Sequence, residues 1–225
     1  MAKSTKRSIK KHEKLVKLYD VSLKIFAKYG YKKATLEDIA KELGITKGNI
    51  YRYVESKQDL YERAVLFAIQ EFQDSMEEAV MGIDDSMQQI ITLSMHGYKY
   101  FSENSELQAV LADTPEFILN PSVFSEKFYE VRVKGINIVK KVLENGIQQK
   151  LFRNFEIDCI AELLYNFYGL FIINSFVLTD FVTESTPSKM FSEIVNLVLY
   201  GILNTKNENL LAFAAENFNL KPLNT

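Results

Sequence analysis

Cysteine is nearly absent from this chain. The single thiol, Cys159, excludes an internal disulfide and fits a reducing compartment. Histidine is as scarce: His12 and His96 lie far apart, so no cluster has zinc-ligand spacing and no metal is expected. Nine glycines and four prolines in 225 residues leave few breakers, and no stretch alternates as a half-buried strand would. These absences point to an all-α protein. An apolar fraction of 47% beside 25% charged residues excludes an intrinsically disordered chain. The length is enough to bury a sizeable core in one or two domains. The basic N-terminus is followed by no apolar segment of signal-peptide type, so a cytoplasmic location is expected.

The net charge of −2 conceals an asymmetry. Residues 1–60 hold 15 Lys and Arg against 7 Asp and Glu, and residues 61–225 hold 12 against 22. A basic first quarter on an acidic remainder suggests a polyanionic partner for that quarter alone. Lys3 to Lys11 is basic with little apolar content and reads as a flexible arm, to which no specific role is given.

From Lys10 to Tyr29, Leu15, Leu18, Tyr19, Ser22, Leu23, Phe26 and Ala27 recur at helical spacing, and Gly30 stands as the C-cap. Thr35 is a good N-cap for the next helix, with Asp38 as the acidic partner of a capping box. Leu36, Ile39, Ala40 and Leu43 form its apolar face, and Gly44 breaks it. Thr46 then caps a second short helix with Ile45, Ile50 and Val54 inward. Two helices of about two turns joined by a glycine turn make a helix-turn-helix. Its second helix enters the major groove with N-terminal residues toward base edges. Lys47 and Arg52 suit guanine O6 and N7. Gly48 lets the backbone approach the bases. Thr35, Tyr51, Tyr53 and Lys57 suit phosphates, although Tyr53 reads almost equally well as a core aromatic.

The runs Phe26-Ala27-Lys28-Tyr29-Gly30-Tyr31, Thr35-Leu36-Glu37-Asp38-Ile39-Ala40 and Gly44 through Leu60 resemble the DNA-binding domain of TetR-type transcriptional regulators. The resemblance covers roughly residues 12 to 62. It departs at Val54, where the family usually has phenylalanine. It implies base-side roles for Thr46, Lys47, Gly48 and Arg52, with Asn49 between them. Phosphate-side roles fall to Thr35, Tyr51, Tyr53 and Lys57. It further implies a three-helix DNA-binding domain over residues 1–62, joined by a long helix to an all-helical effector-binding and dimerisation domain over 63–225.

Ser56 caps that long helix, in which Leu60, Ala64, Phe67, Ala68, Phe72, Met76 and Val80 share a face, and Gly82 closes it. Asp84 or Asp85 begins a helix running to Ser102, with Met87, Ile90, Ile91, Ser94, Met95, Tyr98 and Phe101 inward. Leu107 to Leu111 is a short helix stopped by Asp113-Thr114-Pro115, and Asn120-Pro121 is a second breaker. Val123 to Leu151 is a long helix whose Gly135 and Gly146 mark either a kink or close packing. Ile160 to Leu178 is long and apolar enough to span a membrane. Glu162, Asn166 and Asn174 interrupt it, and Asp158 and Asp180 flank it, which argues against that reading. A soluble helix apolar all round must be covered all round, one face by its own domain and the other by a second copy. Pro187 opens a similarly apolar helix. In the family these last two main helices pair in a four-helix dimer interface. Glu208 to Phe218 reads as a terminal helix.

The expectation is therefore a homodimeric regulator on a near-palindromic operator, most simply a repressor released by a small apolar or amphipathic effector. No cofactor is implied. Met95, Tyr98, Phe101, Phe117, Phe124, Phe128, Phe167 and Phe171 are candidates for lining an effector cavity, though helical spacing alone accounts for most of them as core. Arg132 or Lys134 is a candidate for an acidic head group, against the simpler reading of a solvated pair. A constitutive or architectural DNA-binding dimer is the alternative. An enzyme using Cys159 or His96 is disfavoured, since nothing supplies a base, an orienting group or a cofactor motif, and Cys159 at a helix start reads as a small buried thiol.

Overall fold

The computed structural model describes residues 2–113, 126–172 and 187–203. Among these the protein is all-α, and the one strand-like feature is an isolated antiparallel bridge between Phe152 and Leu203. Two compact units emerge, one from residues 1–72 with 103–131 and the other from 73–102 with 132–225.

The first unit is built on α1 (Ala2–Lys33), α2 (Leu36–Leu43), α3 (Lys47–Ile50), the first half of α4 (Lys57–Val80) and α6 (Ser105–Asp113). Helix α1 starts at Ala2, so the segment expected as a flexible arm is helical backbone. Continuous helix there needs no glycine or proline, and the sequence supplies neither before Gly30. Gly30 breaks the helix at φ 76° and ψ 155°, a conformation that a side chain would strain. Leu18, Ser22, Ile25 and Phe26 face inward from α1, and Ser22 donates to the Leu18 carbonyl one turn back at 2.6 Å. Phe26 and Tyr31 each pack edge to face on Tyr61 and tilted on one another, at 4.9–6.0 Å between ring centres. The Tyr61 hydroxyl donates to the Val110 carbonyl of α6 at 3.1 Å. These ties from α1 and α4 to α6 place α6 in the first unit, whereas the sequence boundary at residue 62 assigned it to the second domain.

The second unit holds the end of α4, α5 (Ser86–Glu103) up to Ser102, α7 (Glu126–Gln148) from Arg132 onward, α8 (Ile157–Ile172) and α9 (Pro187–Ile202). Asp85 caps α5 by accepting the Gln88 N–H at 2.8 Å. The core is mostly aliphatic, with Met87, Ile90, Leu93, Ile138, Val142, Leu143, Ala161, Val195, Leu199 and Leu203 joined by Phe152, Phe171 and Phe191. Met95, expected inward, is 54% exposed, because the buried face of α5 runs through Leu93, Ser94 and Gly97 instead.

Both α7 glycines are explained by close packing. A Cβ on Gly135 would lie 2.3 Å from the Tyr165 ring, and one on Gly146 would lie 2.0 Å from the Phe152 ring. Ion pairs fasten α7 to its neighbours: Lys134 with Asp74, Lys141 with Glu77 at 3.3 Å, Lys140 with Asp158, and Arg132 with Glu162 at 2.7 Å. Arg132 also donates to the Asn166 side-chain carbonyl at 2.7 Å. Both candidate head-group cations are thus engaged by protein carboxylates. Cys159 is exposed and not the buried thiol the sequence suggested, since it lies on the outer side of the first turn of α8. No helix among the described residues is long and apolar enough to cross a membrane. The expected continuation of α8 to Leu178 and the terminal helix at 208–218 lie outside the described residues.

Candidate nucleic-acid interface

Local chemistry fixes α2 at both ends. Thr35 is extended, and its hydroxyl oxygen accepts the Asp38 N–H at 3.2 Å. Asp38 accepts in return the Thr35 N–H at 2.9 Å and the Thr35 hydroxyl at 2.6 Å. This capping box holds the Asp38 carboxyl below its ordinary pKa, chiefly through the bonds from Thr35. At the other end Gly44 adopts the left-handed conformation at φ 65°. The Ile45 N–H returns to the Ala40 carbonyl at 2.9 Å, completing a Schellman turn.

That turn delivers the chain into α3, which is a single turn and shorter than the two turns the spacing suggested. Thr46 occupies the N-cap position without a side-chain capping bond. Beyond Ile50 the backbone closes into turns, with the Tyr53 and Val54 N–H groups both donating to the Ile50 carbonyl. Ile50 and Val54 are buried and pin the segment to the core, while Ile45 is exposed, contrary to its expected inward position. The Schellman turn directs Ile45 outward before α3 begins.

The pinned side leaves one face free. Thr46, Gly48, Tyr51 and Arg52 are exposed, whereas Lys47, Asn49 and Tyr53 are half-buried. A Cβ on Gly48 would meet nothing nearer than the Thr46 hydroxyl at 4.0 Å, so this backbone faces open space. The Lys47 ammonium donates to Glu37 of α2 at 2.5 Å and lies 5.9 Å from the Tyr51 ring centre. Glu37 lies ten residues away across the turn, and periodicity gave no signal for it.

Lys57 stands differently from the expectation of a phosphate donor. Its ammonium donates to the carbonyls of Tyr31 at 2.7 Å, Ala34 at 3.2 Å and Lys32 at 3.4 Å, and it rests 4.6 Å from the Tyr31 ring centre. A cation at the C-terminal end of a helix satisfies carbonyls that lack intrahelical partners. Asp113 of α6 completes this corner by accepting the Tyr31 N–H at 2.5 Å.

The effector candidates differ in burial and surroundings. Tyr98 and Phe171 pack with Phe191 at 4.6–6.4 Å between ring centres. Phe101 is buried, Phe128 is half-buried in the first unit, and Met95 and Phe167 are exposed. Phe117 and Phe124 lie outside the described residues. His96 meets Ser75 at 2.9 Å, which satisfies one ring nitrogen. Tyr168 shares a hydrogen bond of 2.6 Å with Ser94, and burial pushes its pKa up to about 12.

Residues 18–64 match the family model for bacterial regulatory proteins of the tetR family. This segment is of the TetR family type. It is 24% identical over 153 residues to the HTH-type transcriptional repressor KstR2 of Rhodococcus jostii (strain RHA1), covering 67% of this chain and 72% of that one. It is 39% identical over 49 residues to IcaR, the negative regulator of the biofilm operon icaADBC in Staphylococcus aureus (strain Newman). That match spans 22% of this chain and 26% of IcaR. A regulator of Saccharomonospora viridis crystallised with choline shares the fold at a TM-score of 0.70, with 16% identity over 86% of this chain and 99% of that one. The matched segment contains all of α2 and α3, so the exposed face just described lies within the part that is similar to the family.

Proposed function

We propose that this chain is a homodimeric TetR-type repressor that binds a near-palindromic operator in the cytoplasm and is released by a small apolar or amphipathic molecule. The observation that carries the DNA half is the exposed α3 face, with Lys47 and Arg52 beside the open backbone of Gly48. In a dimer, two such faces would enter successive major grooves roughly 34–36 Å apart. Repression is supported by the likeness to KstR2 and IcaR, both named as repressors or negative regulators.

The effector half is supported by the choline complex of the S. viridis regulator and by the polar groups inside the second unit, where Ser94 and Tyr168 meet among apolar neighbours. An effector can shift the regulator off DNA only by binding the released geometry more tightly than the bound one. The division of labour assigns reading to residues 1–62 and sensing to 63–225.

The exposure of Met95 and Phe167, two of the cavity candidates, favours a second reading, a dimer that binds DNA without any effector. Selection of an operator from random duplexes, followed by footprinting against a metabolite panel, tests both. Protection of a palindromic site that one compound abolishes is the expected result. Protection that no compound alters, with no thermal shift across the panel, selects the second reading. Absence of any protected sequence defeats both.

A further inference from the structure

The pair joining Glu37 to Lys47 has no evident role in holding the fold. It links the first turn of α2 to the first residue of α3 at 2.5 Å, yet the two side chains are 61% and 42% exposed. Exposed ion pairs of this kind contribute little to stability. The surface is also an unexpected place for a carboxylate, because duplex DNA approaches as a dense row of negative charges and a glutamate there disfavours every sequence alike. What the carboxylate does control is the Lys47 ammonium, whose partnership lowers the Glu37 pKa and raises that of Lys47.

We propose that Glu37 is a specificity-determining residue of this site: it restrains the Lys47 ammonium from pairing with phosphates and aims it at guanine. The proposal rests on the reading of α2 and α3 as the operator-binding element. A lysine on a four-carbon stem is a mobile point charge that pairs with any phosphate in reach. An ammonium has three donors, of which Glu37 takes one and leaves two for the guanine O6 and N7 acceptors. The Tyr51 ring centre, 5.9 Å from the same nitrogen, limits its swing on a second side. Restraint of this kind lowers affinity for all DNA while widening the gap between operator and random sequence, which is how a repulsive element confers selectivity.

The test measures affinity for the selected operator and for a random duplex across a salt series. It compares the wild type with Glu37→Gln, Lys47→Ala and the double variant. Glu37→Gln is expected to bind random duplex several-fold tighter. The slope of log affinity against log salt should steepen by about one unit, as the freed lysine neutralises a phosphate. Its operator-to-random ratio is expected to fall on the order of tenfold, the scale of one lost base contact. With Lys47 already alanine, the Glu37 change should raise affinity for both duplexes by one common factor and leave their ratio unaltered. Both side chains are exposed, so melting temperatures matching the wild type are expected and verify the fold. A Glu37→Gln protein that keeps the wild-type ratio overturns the proposal, and so does a loss of ratio that persists in the Lys47→Ala background. A wild type with no sequence preference at all overturns the operator reading itself, and is seen before any variant is made.

Discussion

Lys57 and Lys47 are the same residue type in the same unit, but their surroundings differ. Lys57 directs its ammonium at three carbonyls closing α1, whereas Lys47 faces solvent beside one carboxylate. Removing the Lys57 charge while keeping its stem, as in Lys57→Met, takes away charge-assisted bonds from a half-buried corner. A loss of about 1–2 kcal/mol in denaturant unfolding is expected. A variant that unfolds like the wild type but shows a flatter salt slope on DNA would return Lys57 to the role of phosphate donor. Gly135 is equally specific to its surroundings. Alanine there would press on the Tyr165 ring and on the Gln73 amide, and overpacking of this kind costs about 1–3 kcal/mol, against the small gain in helix propensity that alanine brings elsewhere. Unfolding of Gly135→Ala at the wild-type midpoint would show that Tyr165 can move aside.

At the scale of elements, the pairing of α5 with α8 carries a titratable contact. Tyr168 of α8 hydrogen-bonds Ser94 of α5, and burial raises its pKa from the ordinary tyrosine value of 10.0 to about 12. The folded state therefore prefers the neutral phenol more strongly than the unfolded chain does. The stabilisation is complete below pH 10 and disappears as pH climbs through 12, by a total on the order of 2–3 kcal/mol. Unfolding free energy followed from pH 9 to 12 should fall, and Tyr168→Phe should flatten the fall. An equal slope in the variant would assign the alkaline loss to other groups. Elements of this kind were readable from the chain to different degrees. The capping box at Thr35 and Asp38 and the Gly44 turn were legible because they depend on residues three to five apart. Gly135 and Gly146 stayed ambiguous because their partners, Tyr165 and Phe152, lie far away or beyond a turn. The Glu37–Lys47 and Asp113–Tyr31 contacts were invisible for the same reason. Met95, Ile45 and Cys159 were misplaced because apolar character marks a side chain as suited to burial without saying which surface will cover it.

At the scale of the whole molecule, the uncovered surfaces of α8 and α9 make the argument for a second copy. Leu163, Phe167 and Leu170 recur at i, i+4 and i+7 along α8, with Leu163 57% and Leu170 50% exposed. Leu197 on α9 is 66% exposed. A Cβ added at Gly201, one turn after Leu197, or at Gly169 would meet nothing within 4 Å, so another helix could approach closely at either point. Burying each leucine is worth about 1.5–3 kcal/mol, and in a two-fold dimer every substitution acts twice. Leu197→Asp should therefore weaken association by at least a hundredfold in sedimentation velocity without lowering the stability of the monomer. Gly201→Ala separates the two contributions. In an isolated chain, alanine should stabilise α9 by up to about 1 kcal/mol, but against a closely packed partner helix the added methyl should weaken the dimer. Stronger folding with weaker self-association, and with it poorer binding to a palindromic operator but not to a half-site, is the expected outcome. A Leu197→Asp protein that remains dimeric would move the interface away from these two helices.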